Sequence, residues 1–151
     1  MKPLYIGIDP DVDKSGFAIW NKPEQRFEKI TSLTLPDLLD TIIELRESIA
    51  LVVVEAGFLN KSNWHLYGVP KKAKVKNPIA HAAKTGENTG RGHQRAMDIV
   101  ELMEWLKIPY RLQKPISPNT WKDDEKMFQK ITGTKGGNSE KRDAAMLVFK
   151  M

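Results

Sequence analysis

Four apolar residues in a row, Leu51-Val52-Val53-Val54, closed by Glu55 and preceded by a stretch of helical period, limit this chain's fold more than any other feature. A run so rich in β-branched residues reads as a strand, and its lack of polar alternation predicts burial on both faces. Before it, Leu38, Leu39, Ile42, Ile43 and Leu45 recur at helical spacing. With proline in the first turn, Pro36 to Ser48 is predicted to be an amphipathic helix. A strand, helix, strand crossover places its second strand parallel to an earlier one.

The earlier strands precede that helix. Leu4 to Ile8 is a short apolar run broken by Asp9-Pro10, which predicts a central strand ending at Asp9. Gly16 to Trp20 reads as a second strand and Arg26 to Leu33 as a third, with Phe27, Lys29 and Thr31 alternating against Glu28, Ile30 and Ser32. Short polar turns between them suggest an antiparallel meander. If the fourth strand neighbours the first, Asp9 and Glu55 emerge side by side. From Gly57 to Gly90 no clean period is visible, and a connection of that length is usually functional or disordered. Arg91 to Lys107 is predicted helical, with Ala96, Ile99, Val100, Met103 and Leu106 on one face and Pro109 beyond it. Tyr110 to Leu112 reads as a fifth strand, Asn119 to Ile131 as a helix, Thr132 to Asn138 as a Gly/Lys-rich turn, and Ser139 to Phe149 as a last helix capped by Ser139. No internal repeat or interdomain linker interrupts this order. The sum is one α/β domain over residues 1–151, a mixed sheet with helices on its faces.

Composition narrows the chemistry. With no cysteine, disulfides, thiolate catalysis and Cys-ligated metals are excluded. Met1-Lys2-Pro3 leads directly into the first strand with no signal-peptide pattern, and no apolar run is long enough to span a bilayer. A soluble, cytoplasmic protein is expected. The formal charge is +5, and it is distributed unevenly. Between Phe58 and Arg95, Lys61, Lys71, Lys72, Lys74, Lys76, Lys84, Arg91 and Arg95 face one acid, Glu87. Such a stretch is a footprint for a polyanion, although a solvated loop has the same composition. It lacks the apolar helical stripe of a membrane-surface anchor.

Acids stand where strands and helices end. Asp9 and Glu55 each close a strand, while Glu140 and Asp143 lie three apart on the last helix. Carboxylates so placed can converge, and hard oxygen ligands suit magnesium or manganese. Asp9, Asp11 and Asp13 resemble the opening of a calcium loop, but the required glycine is displaced and the closing glutamate is missing, so Asp11 and Asp13 read as turn residues.

Together LYIGIDPDVDKSGFAIW at 4–20, LVVVEAGF at 51–58 and SEKRDAAMLVF at 139–149 resemble the three motifs of RuvC-type Holliday-junction resolvases, within the RNase H-like nuclease superfamily. The resemblance implies a five-stranded RNase H-like sheet, an antiparallel three-strand meander plus parallel strands. It also implies that Asp9, Glu55, Glu140 and Asp143 are catalytic metal ligands for two Mg2+ ions, with Mn2+ able to substitute. The implied reaction is hydrolysis of phosphodiester bonds in branched DNA, leaving 5′-phosphate and 3′-hydroxyl ends. Lys122 and Lys135 resemble family positions near the cut, and Lys71, Lys72, Lys74, Lys76, Arg91 and Arg142 are further candidates for holding phosphates. Trp64, His65 and Tyr67 could stack on unpaired bases or anchor the loop. Paired cuts on opposed strands imply a homodimer, for which the 91–107 helix with Trp105 is a candidate interface. The chain departs from the bacterial pattern at Asp11, where glycine is common, and at Glu140, where aspartate is common. Both departures are compatible with a divergent, phage-like member.

Two other readings remain open, and a third is set aside. One is an RNase H-like nuclease acting on RNA/DNA hybrids or flaps, and another is a non-catalytic branched-DNA-binding protein. The third, an actin-like or sugar-kinase ATPase, needs two domains and a second phosphate loop, for which the chain is too short.

Overall fold

A computed structural model describes residues 2–60, 76–116 and 120–151. The meander forms as expected, from β1 (Leu4–Asp9), β2 (Ser15–Asn21) and β3 (Arg26–Leu33). After α1 (Leu35–Leu45), β4 (Ile49–Glu55) returns parallel to β1, and β5 (Tyr110–Gln113) adds parallel to β4. The sheet order is β3-β2-β1-β4-β5. The remaining helices are α2 (Pro78–Leu106), α3 (Glu125–Thr132) and α4 (Ser139–Met146), with a short 3-10 turn at Gly57–Leu59. This is the mixed RNase H-like sheet, flanked by helices.

Burial on both faces of the central strands follows from their composition. One face carries Ile6, Ile8, Phe17, Ile19, Val52 and Val54, against Leu38 and Ile42 of α1 and Ile99, Met103 and Leu106 of α2. The opposite face carries Ala18, Trp20 and Val53, beneath Ala144, Ala145, Leu147 and Val148 of the C-terminal segment and Phe128 of α3. In β3 the strict alternation expected from sequence is broken. Trp20 pairs with Phe27 but Ile19 pairs with Lys29, so Glu28 bulges out. One extra residue reverses the facing of the residues beyond it. Phe27 and Ile30 consequently pack on the same side, against the cluster that contains Ala18.

Two glycines set how closely α4 lies on the sheet. A Cβ at Gly7 would collide with the carbonyl of Ala144, and one at Gly16 with the carbonyl of Glu140. Their bare backbone lets α4 lie directly on β1 and β2. That close approach delivers Glu140 and Asp143 to the end of β1.

Helix α1 ends at Leu45 rather than Ser48 and α4 at Met146 rather than Phe149, and three helix starts or caps also differ from expectation. Helix α2 begins at Pro78, capped by the Asn77 side chain accepting from Ile79 and Ala80 N–H. Its first half escaped notice because Thr85 to Gly92 has glycines and no apolar stripe, and its buried residues all lie between Ala96 and Leu106. Asn138, rather than Ser139, caps α4 by accepting from Lys141 N–H. Helix α3 starts only at Glu125, where Asp124 caps it through Met127 N–H. Among the described residues, no helix is long and apolar enough to cross a membrane.

Candidate metal and phosphate site

The parallel register pairs Ile8 with Val54, so Asp9 and Glu55 leave the sheet next to each other. Alternation places both on the face where Gly7 meets α4 and Val53 packs under Leu147 and Val148. Asp143, buried on α4, comes down onto the same end of the sheet. Acids from three parts of the chain therefore lie near enough to act on one another electrostatically. Asp9 is pushed up from 3.8 to about 8, first by burial, then by the negative charges of Glu55 and Asp143, with Lys122 opposing and Glu140 contributing least. Glu55 rises from 4.5 to about 7, again through burial first and then Asp143, against Lys122. Glu140 sits at the margin, and its Oε2 accepts from Asn138 Nδ2 at 3.1 Å.

Lys122 supplies the counter-charge. Its Nζ lies 3.4 Å from Asp143 Oδ2. Partial burial acts to lower the ammonium's pKa, but its ion pair and hydrogen bond with Asp143, with Glu55 and Asp9 behind them, raise it overall. Among the described residues, no three acidic or histidine side chains stand in a finished metal-coordinating arrangement. The donor set nevertheless suits a hard cation. Two carboxyls hold their protons to near neutrality through burial and repulsion, which a divalent ion relieves more completely than one ammonium. A cavity of about 20 Å³ beside them, lined by Glu55, Pro115, Ile116, Trp121, Lys122 and Asp143, has room for about one water-sized occupant. A larger cleft of about 220 Å³ opens on the other side of Asp9 and Glu55, towards α2.

The predicted phosphate contacts separate into different groups. Lys135 is exposed in the turn before α4, and Lys76 is exposed immediately before α2. Arg91 is exposed on α2, only loosely paired with Glu87 at 4.0 Å. Lys71, Lys72 and Lys74 lie outside the described residues, as do Trp64, His65 and Tyr67. Arg142 must be corrected: it is buried, not a surface base. Its guanidinium donates to the carbonyl oxygens of Lys122 and Gly137, so it holds the segment bearing Lys122 against α4. Arg95 is likewise internal in use, donating through Nη2 to the carbonyl oxygen of Val12 at 3.0 Å and tying α2 to the turn after Asp9. These two clamps were missed because a basic residue's partner, backbone or phosphate, has no local sequence signature.

The sequence matches no family model and no curated protein. Solved structures do share the fold. Thermus thermophilus RuvC in complex with a Holliday junction substrate superposes with a TM-score of 0.56 at 14% identity, covering 97% of this chain and 91% of that one. A second Thermus thermophilus RuvC structure gives a TM-score of 0.56 at 12% identity, covering 97% and 92%. The chain therefore has a RuvC-like fold.

Proposed function

We propose that this chain is a structure-selective endodeoxyribonuclease, a single RNase H-like domain over residues 1–151 that resolves Holliday junctions or other branched DNA. The observation that carries the reading is the convergence of Asp9, Glu55 and Asp143 on one sheet end, where burial and mutual repulsion push the first two towards neutrality. Such a cluster is costly unless a cation occupies it. The RuvC-like fold supports the same conclusion, since one structural neighbour is a RuvC bound to a Holliday junction substrate.

Asp9, Glu55 and Asp143, with Glu140 at the margin, would hold two divalent cations, Mg2+ or Mn2+. The chemistry supplied by ions bound there is activation of water and stabilisation of the departing oxygen. Asp9 would hold a cation from the end of a central strand, and its carboxyl would have to lose its proton to do so. Lys122 neutralises Asp143 across 3.4 Å, and its half-exposed ammonium would also be available to a substrate phosphate at this end of the sheet. Arg142 keeps Lys122 in reach by gripping its carbonyl. Lys135, Lys76 and Arg91 extend the positive surface along the DNA backbone, where such contacts fix register rather than sequence. Strand cleavage leaves 5′-phosphate and 3′-hydroxyl ends. A homodimer pairs two such sites, through the face of α2 that leaves Met97 and Trp105 exposed.

The test is cleavage of a synthetic four-way junction with Mg2+ or Mn2+ by wild type and Asp9→Asn. Wild type should cut and the variant should not. RNA/DNA hybrid and flap substrates run beside it identify a different RNase H-like specificity. Junction binding that survives Asp9→Asn with no cutting of any substrate by wild type would sink the nuclease reading.

A further inference from the structure

The cleft on the α2 side of Asp9 and Glu55 has one feature that the acids and lysines do not explain. Phosphate oxygens need hydrogen-bond donors or cations, and ionised carboxylates offer neither. On the α2 wall, Thr89 directs its hydroxyl to the Thr85 carbonyl oxygen at 2.8 Å. Apart from Thr89, the two acids and His93, the lining is glycine, alanine and proline. His93 remains as the side chain there with donor capacity to offer.

His93 is held in place without that capacity being used. Its ring packs edge-on against Phe58, with centroids 6.2 Å apart at an interplanar angle of 78°. A Cβ on Gly57 would stand 3.2 Å from His93 Nε2, so this nitrogen lies against backbone two residues beyond Glu55. The imidazole makes no hydrogen bond or ion pair with any described residue. In either protonation state an imidazole retains at least one N–H. The ring is thus oriented by packing while its polar edge borders the cleft.

We propose that His93 is a substrate-contacting residue, donating a hydrogen bond to a phosphate oxygen of the nucleic-acid strand that lies between α2 and the acids. This rests on the nuclease reading and adds a donor to the wall opposite the carboxylates. It assigns the glycine at position 57 a purpose, since any side chain there would press on the donor nitrogen.

The competing account is that His93 merely packs against Phe58. His93→Phe keeps a ring and its volume but removes the donor, whereas His93→Gln keeps an N–H donor and loses the aromatic contact. Single-turnover cleavage of a four-way junction by His93→Phe should fall about 10- to 100-fold, the range for losing a hydrogen bond to a charged group, while His93→Gln stays within about threefold of wild type. In a second arm, junction binding without divalent cation is measured for Asp9→Asn alone and combined with each change. His93→Phe should weaken it and His93→Gln should not. Cleavage by His93→Phe at the wild-type rate, or equal losses in both variants, overturns the assignment. If wild type cuts nothing, the nuclease reading fails separately. The binding arm still decides His93, because unchanged affinity with His93→Phe overturns its role.

Discussion

Replacing Asp9 by asparagine should make the cation-free protein more stable while abolishing cleavage. The Asp9 carboxyl is pushed from 3.8 to about 8, by burial first and by Glu55 and Asp143 next. A carboxyl with a higher pKa folded than unfolded binds its proton more tightly in the native state, so stability falls as pH rises through the window from 3.8 to about 8. Each pH unit inside that window costs about 1.4 kcal/mol, accumulating to about 4 kcal/mol by pH 7. Asparagine never ionises and so escapes this cost, but burying an amide without a partner forfeits about 1–3 kcal/mol of the gain. The net expectation is a gain of about 1–3 kcal/mol at neutral pH, equivalent to about 3–10 °C in melting temperature, that vanishes near pH 5. Thermal and urea unfolding in EDTA, from pH 5 to 8.5, measure it. Saturating magnesium should then stabilise wild type far more than the variant, because only wild type keeps the full ligand set. The reasoning is refuted by a variant no more stable than wild type at pH 8, or by an advantage that does not change between pH 5 and pH 8.

Three further changes probe the scaffold of the site. Gly16→Ala drives a methyl into the carbonyl of Glu140; it should cost about 1–3 kcal/mol in urea melts and reduce junction cleavage even where the variant is folded, because α4 carries Asp143. Lys122→Met leaves Asp143 unpaired and removes the charge that lowers the pKa of both Asp9 and Glu55. Its melting temperature in EDTA should fall, by the equivalent of about 1–3 kcal/mol, and the deficit should widen as pH rises through neutrality. Arg142→Met removes the guanidinium bonds to the Lys122 and Gly137 carbonyls and should cost about 2–4 kcal/mol by calorimetry, with Arg142→Lys a poor rescue because an ammonium lacks the planar fork.

The strands were legible because their signals are local. β-Branched runs, Asp-Pro and Asn-Lys-Pro punctuation, and the change from period two to helical period at Pro36 define β1 to β4 and α1 within a few residues of their observed ends. The first half of α2 was not legible, since a helix without an apolar stripe leaves only its cap, Asn77-Pro78, as a mark. The alternation in β3 misled because the bulge at Glu28 is imposed by the pairing with β2 and has no requirement for a particular residue.

What the sequence determined by itself was the order of elements and the positions of the acids at their ends, because burial pattern and turn chemistry act over a few neighbouring residues. From these the parallel pairing of β1 with β4, and hence the meeting of Asp9 and Glu55, could be reasoned. Only the tertiary structure decided how the charges are partnered. Lys122 faces Asp143, Arg142 turns inward to carbonyl oxygens, and His93 borders the acids from a helix with no evident link to them. Those outcomes depend on through-space distance and on burial, and both arise only when segments far apart in the chain pack together.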